Sequence, residues 1–389
     1  MGIKNYLSSE ELIVVNYVCE ICKELSIKAY LVGGVVRDYL LGRRFKDIDI
    51  CIESDPIIVI EEMQGKGFIN KYNYYENFRT STIQFKNGVE IDLICTRKEE
   101  YIENGSLPSV IKSTIEEDLF RRDFTINALA YDLIDNRIID IYNGVSSIYR
   151  KEITKIHANS YFEDPTRIFR AIKYSNRYDF SIMDRAEIQS VVNKGIQNMI
   201  SHDRIMKEII SLCTEKECVK NLYTVSMFNI IKLDMKKLFL ENSLYDNNKI
   251  EHKIASIFYA LSDEEDKKIF ISNSVLSKEI RIAFRNHNLI LQRLEDMMNK
   301  GADNFSIYTI FKNLNPIEML LINYEHKYKY IITNYKNNLS SMKLNTKLLD
   351  DKVKTIENKK KLGKMMKKIV ELKLNTLIEI EKTYQKRIF

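Results

Sequence analysis

The chain has 389 residues, 45% hydrophobic and 29% charged, with only 4 Pro and 12 Gly. That is enough apolar material for two or more helix-rich domains. No run of about 18 apolar residues marks a membrane span, and Met1-Gly2-Ile3-Lys4-Asn5-Tyr6 carries no signal-peptide core, so a cytoplasmic protein is expected. The net charge of +6 is unevenly spread: residues 301–389 hold 18 Lys and Arg against 9 Asp and Glu. A basic C-terminal part on a mildly acidic body suits a polyanionic partner, or else is a solvated lysine-rich helical face.

In chain order, Ser8 and Glu11 have capping-box spacing and open a helix to about Leu25. Within it Cys19 and Cys22 form a C-x-x-C, but no second ligand pair follows at zinc spacing. Ala29-Tyr30-Leu31-Val32 reads as a short buried strand stopped by Gly33-Gly34, and a short helix from Val35 to Leu41 ends at Gly42. From Asp47 to Glu53 the pattern alternates as a strand, with Asp47, Asp49 and Cys51 on one face. Pro56 starts a helix to about Gln64. Thr80–Phe85 and Val89–Thr96 read as strands joined at Lys86-Asn87-Gly88. Cys51 and Cys95, inside apolar runs, read as small hydrophobes. Residues 98–113, with Asn104-Gly105 and Pro108, read as a loop, and beyond about 160 the pattern is nearly all helical.

The chemistry starts at Asp47-Ile48-Asp49. Carboxylates two apart on a strand point to one side and can share hard divalent cations such as Mg²⁺. Two such ions would serve an in-line phosphoryl displacement. A D-x-D is also common on solvated strand faces, so the pair alone says little. Gly33-Gly34, between strand and helix, lets backbone approach a ligand and offers helix N–H groups to phosphate. Arg37 suits phosphate, or an ion pair near Asp38. Asp92 is a third carboxylate that can join the metal site, with Glu90 as its same-face rival.

Leu31-Val32-Gly33-Gly34-Val35-Val36-Arg37-Asp38 with Lys46-Asp47-Ile48-Asp49 resembles the signature of the class II tRNA nucleotidyltransferase/poly(A) polymerase family, in the polymerase-β-like superfamily. Three further blocks agree in order. Residues 114–130, around Arg121-Arg122-Asp123 and Asn127, resemble the family's ribose- and phosphate-binding block. Glu163-Asp164-Pro165-Thr166-Arg167-Ile168-Phe169-Arg170 resembles its base-reading helix, and Asp203-Arg204-Ile205-Met206-Lys207-Glu208 resembles the neck motif that follows.

The residues themselves allow these roles. Arg122, like Arg121, offers a fork of donors to phosphate; Asp123 can accept from a ribose hydroxyl and Asn127 can donate to phosphate. The plain alternative for Arg121, Arg122 and Asp123 is a surface charge cluster. Asp164 and Arg167, three apart, share a helix face, either as an ordinary i,i+3 ion pair or as a base reader. Cytosine and adenine each present an amino donor beside a ring-nitrogen acceptor, which a carboxylate and a guanidinium match. Uracil and guanine would set a carbonyl against Asp164, and unpaired buried groups reject the wrong base strongly. Arg170 extends the face toward phosphate or Asp164. His202-Asp203 has no second H or D cluster to make a phosphohydrolase, and Tyr324–Tyr335 is Lys- and Tyr-rich, suiting RNA contact or core packing equally.

The resemblance implies an α+β nucleotidyltransferase head (a small mixed sheet with helices) over 1–145. An all-α neck (146–210), body (211–315) and basic, tRNA-binding tail (316–389) would follow. It also implies that Arg97 faces the nucleotide and that the loop after it helps the site switch between nucleotides. The expected activity is template-independent addition of C and A from CTP and ATP to the tRNA 3′ end. The expected cofactor is Mg²⁺ on Asp47 and Asp49, with Asp92 as the candidate third ligand, a role the sequence leaves open. Poly(A) polymerase and CC-adding or A-adding enzymes share these blocks. Oligomeric state is not encoded in any of them.

Overall fold

Ser8 N–H donates to Glu11 Oε2 at 2.7 Å while Glu11 N–H donates to Ser8 Oγ at 3.2 Å, so the capping box forms and starts α1 (Ser9–Glu24). The structure is a computed structural model describing residues 2–100, 104–106, 108–240, 249–301 and 304–340. Most of the basic tail expected at 316–389, namely 341–389, lies outside the described residues. The chain divides into two compact units, Met1–Ile230 and Ile231–Phe389.

Unit 1 begins as an α+β head. After α1 come β1 (Ala29–Val32), α2 (Gly34–Leu40), β2 (Asp49–Ile52), α3 (Pro56–Gly65), β3 (Ile69–Tyr75), β4 (Thr80–Phe85) and β5 (Glu90–Cys95). There follow β6 (Arg97–Glu100), β7 (Ser109–Lys112), α4 (Ile115–Phe120), β8 (Ala130–Asp132), β9 (Arg137–Ile139) and α5 (Gly144–Arg150). Among the described residues a seven-stranded sheet runs β3-β4-β5-β2-β1-β8-β9. Every neighbouring pair is antiparallel except β2 with β5.

Apolar residues hold the head together. All four residues of β1 are buried, and full burial of a side chain such as Leu31 is worth about 1.5–3 kcal/mol. On one face of the sheet α3 packs against β3, β4 and β5 and against α1. On the other, Ile115 and Leu119 of α4 pack on Tyr30, Val32, Cys51 and Ala130. All six cysteines are free and buried, which accords with their reading as small hydrophobes.

Several elements depart from the sequence expectation. The strand expected from Asp47 starts only at Asp49, and Asp47 lies in the exposed bend before it. The reason is that β1 ends where Gly33 turns away, so residues before Asp49 have no β1 partner; the register closes at Leu31↔Ile50. The loop expected at 98–113 is in part a hairpin, β6 paired with β7. Its charged Arg97-Lys98-Glu99-Glu100 run carries no apolar alternation, because this small sheet buries little. β3, β8 and β9 were not expected at all.

The neck continues through β10 (Glu152–Ile153), α6 (Ser160–Glu163), α7 (Thr166–Tyr178), β11 (Ser181–Ile182), α8 (Arg185–Asn193), α9 (His202–Thr214) and α10 (Cys218–Met227). It is helical apart from the two-residue parallel pair β10–β11. His202 and Asp203 simply begin α9, behind the Ser201 cap.

Unit 2 is helical. In it α11 (Met235–Leu240), α12 (Ile250–Ala260), α13 (Glu264–Ser272) and α14 (Lys278–Asn299) are followed by α15 (Asn304–Phe311), α16 (Pro316–Tyr324) and α17 (Lys329–Asn334). Phe258 stacks on Phe284 with centroids 4.0 Å apart. In the Lys- and Tyr-rich stretch, Tyr324 and Tyr328 are core residues, whereas Tyr330 is 83% exposed. Among the described residues no helix is long and apolar enough to cross a membrane.

Candidate active site

β1 ends on Gly33 at φ 62°, and a Cβ there would lie 2.7 Å from Arg122 Nη1. Left-handed backbone and this close approach both call for glycine. Gly33 begins α2, whose buried Arg37 is tied on several sides. Its Nε donates to Asp38 Oδ1 at 2.9 Å and its Nη1 donates to Asn127 Oδ1. Its guanidinium stacks 5.0 Å from the Tyr178 ring centroid. Asn127 Nδ2 in turn donates to Asp123 Oδ1 at 2.9 Å, and Arg170 Nε donates to Asp123 Oδ2 at 2.6 Å. Arg37, Asn127, Asp123 and Arg170 thus form one hydrogen-bonded line joining head to neck.

Arg121 and Arg122 are no loose surface cluster. The fully buried Asp118, on α4, takes one of them on each oxygen: Arg121 Nη2 donates to Oδ1 and Arg122 Nη2 to Oδ2, both at 2.8 Å. Burial opposes ionisation of Asp118, but the two guanidiniums outweigh it and hold the carboxyl below its usual value. Asp118→Asn should therefore destabilise the fold by about 3 kcal/mol, since it leaves two largely buried cations short of their counter-charge. A lower urea midpoint at unchanged m-value is expected; an unchanged midpoint would show that the network carries no stability.

The base-reading pair is arranged otherwise than expected. Asp164 is not on a helix with Arg167: it precedes α7 in extended conformation, φ −136° and ψ 92°. Its Oδ1 accepts from Thr166 Oγ1 at 2.6 Å and from Arg204 Nη2 at 2.8 Å; among the described residues its Oδ2 accepts nothing. Arg167 is buried and makes no ion pair with Asp164. Its Nη1 donates to Ser160 Oγ at 2.6 Å and its Nη2 to Arg121 O at 2.8 Å. The i,i+3 surface pair is thereby overturned, because Pro165 turns the chain between the two residues.

Asp49 on β2 and Asp92 on β5 are direct partners in the parallel register. Thr82 Oγ1 donates to Asp92 Oδ1 at 2.7 Å. Burial, then Asp92 and Asp47 as like charges, push the Asp49 carboxyl up to about 6. Asp92 and Asp47 thus add to the cost of ionising Asp49, and a carboxylate flanked by two others is a donor set for a hard divalent cation, which would relieve that repulsion. Among the described residues no three such groups form a ready-made cage. A Mg²⁺ that keeps waters and takes substrate phosphate needs only one or two protein carboxylates.

A cavity of about 450 Å³ gathers Gly33, Gly34, Arg37, Asp49, Arg122, Asp123, Asn127, Asp164, Arg167 and Arg170. Of the expected site residues, Arg97, Asp47 and Asp92 do not line it. Arg97 turns aside to Phe78 O and Glu99. Asp47 and Asp92 line a second cavity of about 430 Å³. The first cavity also holds Glu99, Tyr174 and Glu208, which were not expected. Burial raises the Glu208 carboxyl, against the pull of Lys173 and Arg170. Helical spacing held a signal: Tyr174 is four residues after Arg170, and Glu208 four after Arg204.

Residues 29–154 match the family described as Poly A polymerase head domain. The chain is 35% identical over 214 residues to the A-adding tRNA nucleotidyltransferase of Geobacter sulfurreducens, covering 54% of this chain and 24% of that one. It is 27% identical over 378 residues to the A-adding tRNA nucleotidyltransferase of Aquifex aeolicus, covering 91% and 45%. The chain thus spans less than half the length of these two relatives. Among solved structures, the apo form II of a CCA-adding enzyme superposes with a TM-score of 0.75 at 25% identity, over 95% of this chain and 93% of the other. A CCA-adding enzyme complexed with ATP does so with a TM-score of 0.72 at 25% identity, over 95% and 92%.

Proposed function

We propose that the chain, whose residues 29–154 match the Poly A polymerase head domain, is a member of the class II tRNA nucleotidyltransferase/poly(A) polymerase family, and that it adds C and A from CTP and ATP to the 3′ end of tRNA without a template. The observation that carries this is the cavity in which Asp49 and the Arg37–Arg122 pair meet Asp164 and Arg167. Phosphate-holding cations, a metal-type carboxylate and a base-edge reader share one space sized for a nucleotide.

In this reading Gly33, Gly34, Arg37 and Arg122 hold the triphosphate. Asp123 accepts from a ribose hydroxyl while Asn127 and Arg170 fix its carboxylate. Asp164 Oδ2 accepts the amine of cytosine or adenine, and Arg167 donates to the ring nitrogen beside it. Asp47, Asp49 and Asp92 would hold Mg²⁺, which when bound would lower the pKa of the attacking hydroxyl and screen the phosphates. The head (1–145) and neck (146–210) carry the chemistry. The body (211–315) and the basic tail (316–389) hold the tRNA in the cytoplasm, with affinity that falls as salt rises.

A second reading, addition of the terminal A alone, is favoured by the two A-adding relatives. One assay separates them: tRNA lacking CCA, tRNA ending in CC and oligo(A), each with CTP, ATP or both. CCA addition requires incorporation of both nucleotides on the first substrate. Activity on tRNA-CC alone, with ATP, would establish the second reading, and extension of oligo(A) alone would establish a poly(A) polymerase.

A further inference from the structure

Among the described residues, the outer half of the sheet has one apolar and one polar face. α3 covers the face of β3, β4 and β5 that carries Ile83, Ile91 and Leu93. The opposite face carries polar side chains in register. One row runs Asp49, Asp92, Thr82, Asn73 across four strands, each a direct cross-strand partner of the next. Beside it lie Gln84 with Lys71, and Thr80 with Tyr75. Lys71, Asn73 and Tyr75 of the edge strand β3 are all exposed, Tyr75 by 52%. None of the three side chains makes a hydrogen bond among the described residues.

This row begins at the carboxylates and leads away from the nucleotide cavity. In an in-line displacement the attacking oxygen and the leaving pyrophosphate lie on opposite sides of phosphorus. With the triphosphate on Arg37 and Arg122, as proposed above, the attacking 3′-hydroxyl would arrive on the Asp92 side of Asp49. From there the row spans three inter-strand steps, about 14 Å, to the sheet edge. A lysine, an asparagine and a tyrosine wait there: a phosphate contact, a sugar or phosphate contact and a stacking surface.

We infer that this polar sheet face is the track of the acceptor's single-stranded 3′ end, gripped at its outer end by Lys71, Asn73 and Tyr75. The inference rests on the transferase reading above and names the side from which its second substrate enters. A polypeptide edge added to β3, or a second copy of this chain, would use the backbone of β3 rather than these side chains.

The test uses the full chain carrying Lys71→Ala, Asn73→Ala and Tyr75→Ala together. Its readouts are fluorescence anisotropy with a labelled single-stranded RNA ending in a free 3′-hydroxyl, and steady-state kinetics on the substrate accepted in the assay above. RNA binding should weaken ~10-fold, from the lost stacking and phosphate contacts. The KM for the acceptor should rise in step, while the KM for ATP stays within twofold. Unchanged RNA binding would overturn the inference whether or not the chain transfers nucleotides. Loss of RNA binding by the variant, with no transfer by the parent on any acceptor, would refute the transferase reading and keep the surface.

Discussion

Asp49→Asn should abolish nucleotide addition while leaving the fold intact. Asp49 is the one carboxylate that both lines the nucleotide cavity and pairs in register with Asp92. The lost charge would weaken the hold on the cation, and several kcal/mol of transition-state stabilisation correspond to about 10³-fold or more in kcat/KM. Stability should move the other way. Asp49 ionises late because burial, Asp92 and Asp47 all oppose its charge. A neutral amide removes that repulsion, so the melting temperature should hold or rise slightly without divalent cation. tRNA and ATP should still bind. Asp47→Ala tests the same assignment from an exposed bend that carries no packing. Retained turnover in either variant would sink the metal-ligand role of that residue.

Asp164→Asn should relax the choice of base. In the proposed reading the carboxylate would reject uracil and guanine because it would meet their carbonyls with lone pairs only. An amide can turn its NH₂ toward them. A polar-built site discriminates by as much as about 10⁴, so the preference for CTP over UTP should fall at least ~10²-fold. Arg204 and Thr166 hold Oδ1, which orients Oδ2 and keeps the substituted side chain in place. The measurement is kcat/KM for all four nucleoside triphosphates on the accepted RNA. An unchanged CTP/UTP ratio accompanied by a uniform loss of activity would make Asp164 a structural cap for α7 and nothing more.

Much of the head is legible in the amino-acid sequence. The Ser8–Glu11 box, the apolar run Ala29–Val32, the Gly33-Gly34 stop and the Asn87-Gly88 turn are local signals. Each depends on residues within one turn of one another, and each formed where expected. The elements that are not legible there have weak local signals. β3 is a sheet edge whose second face stays polar, so Ile69–Tyr75 shows little apolar alternation. β6 and β7 pair charged residues over a small area.

What the sequence determined by itself was the inventory: carboxylates two apart, glycines between strand and helix, and arginines with Asp164 beyond. Tertiary structure alone decided which of these meet. Asp49 faces Asp92 because β2 and β5 pair in parallel. Arg37 reaches Asn127 across 90 residues, and Arg167 reaches the Arg121 carbonyl across 46. It also removed Arg97 from the nucleotide cavity and put Asp47 in a bend. The physical reason is that a local pattern sets which face a side chain takes. Strand order and register are instead set by burying the whole apolar face of the sheet, which is a property of the chain as a whole.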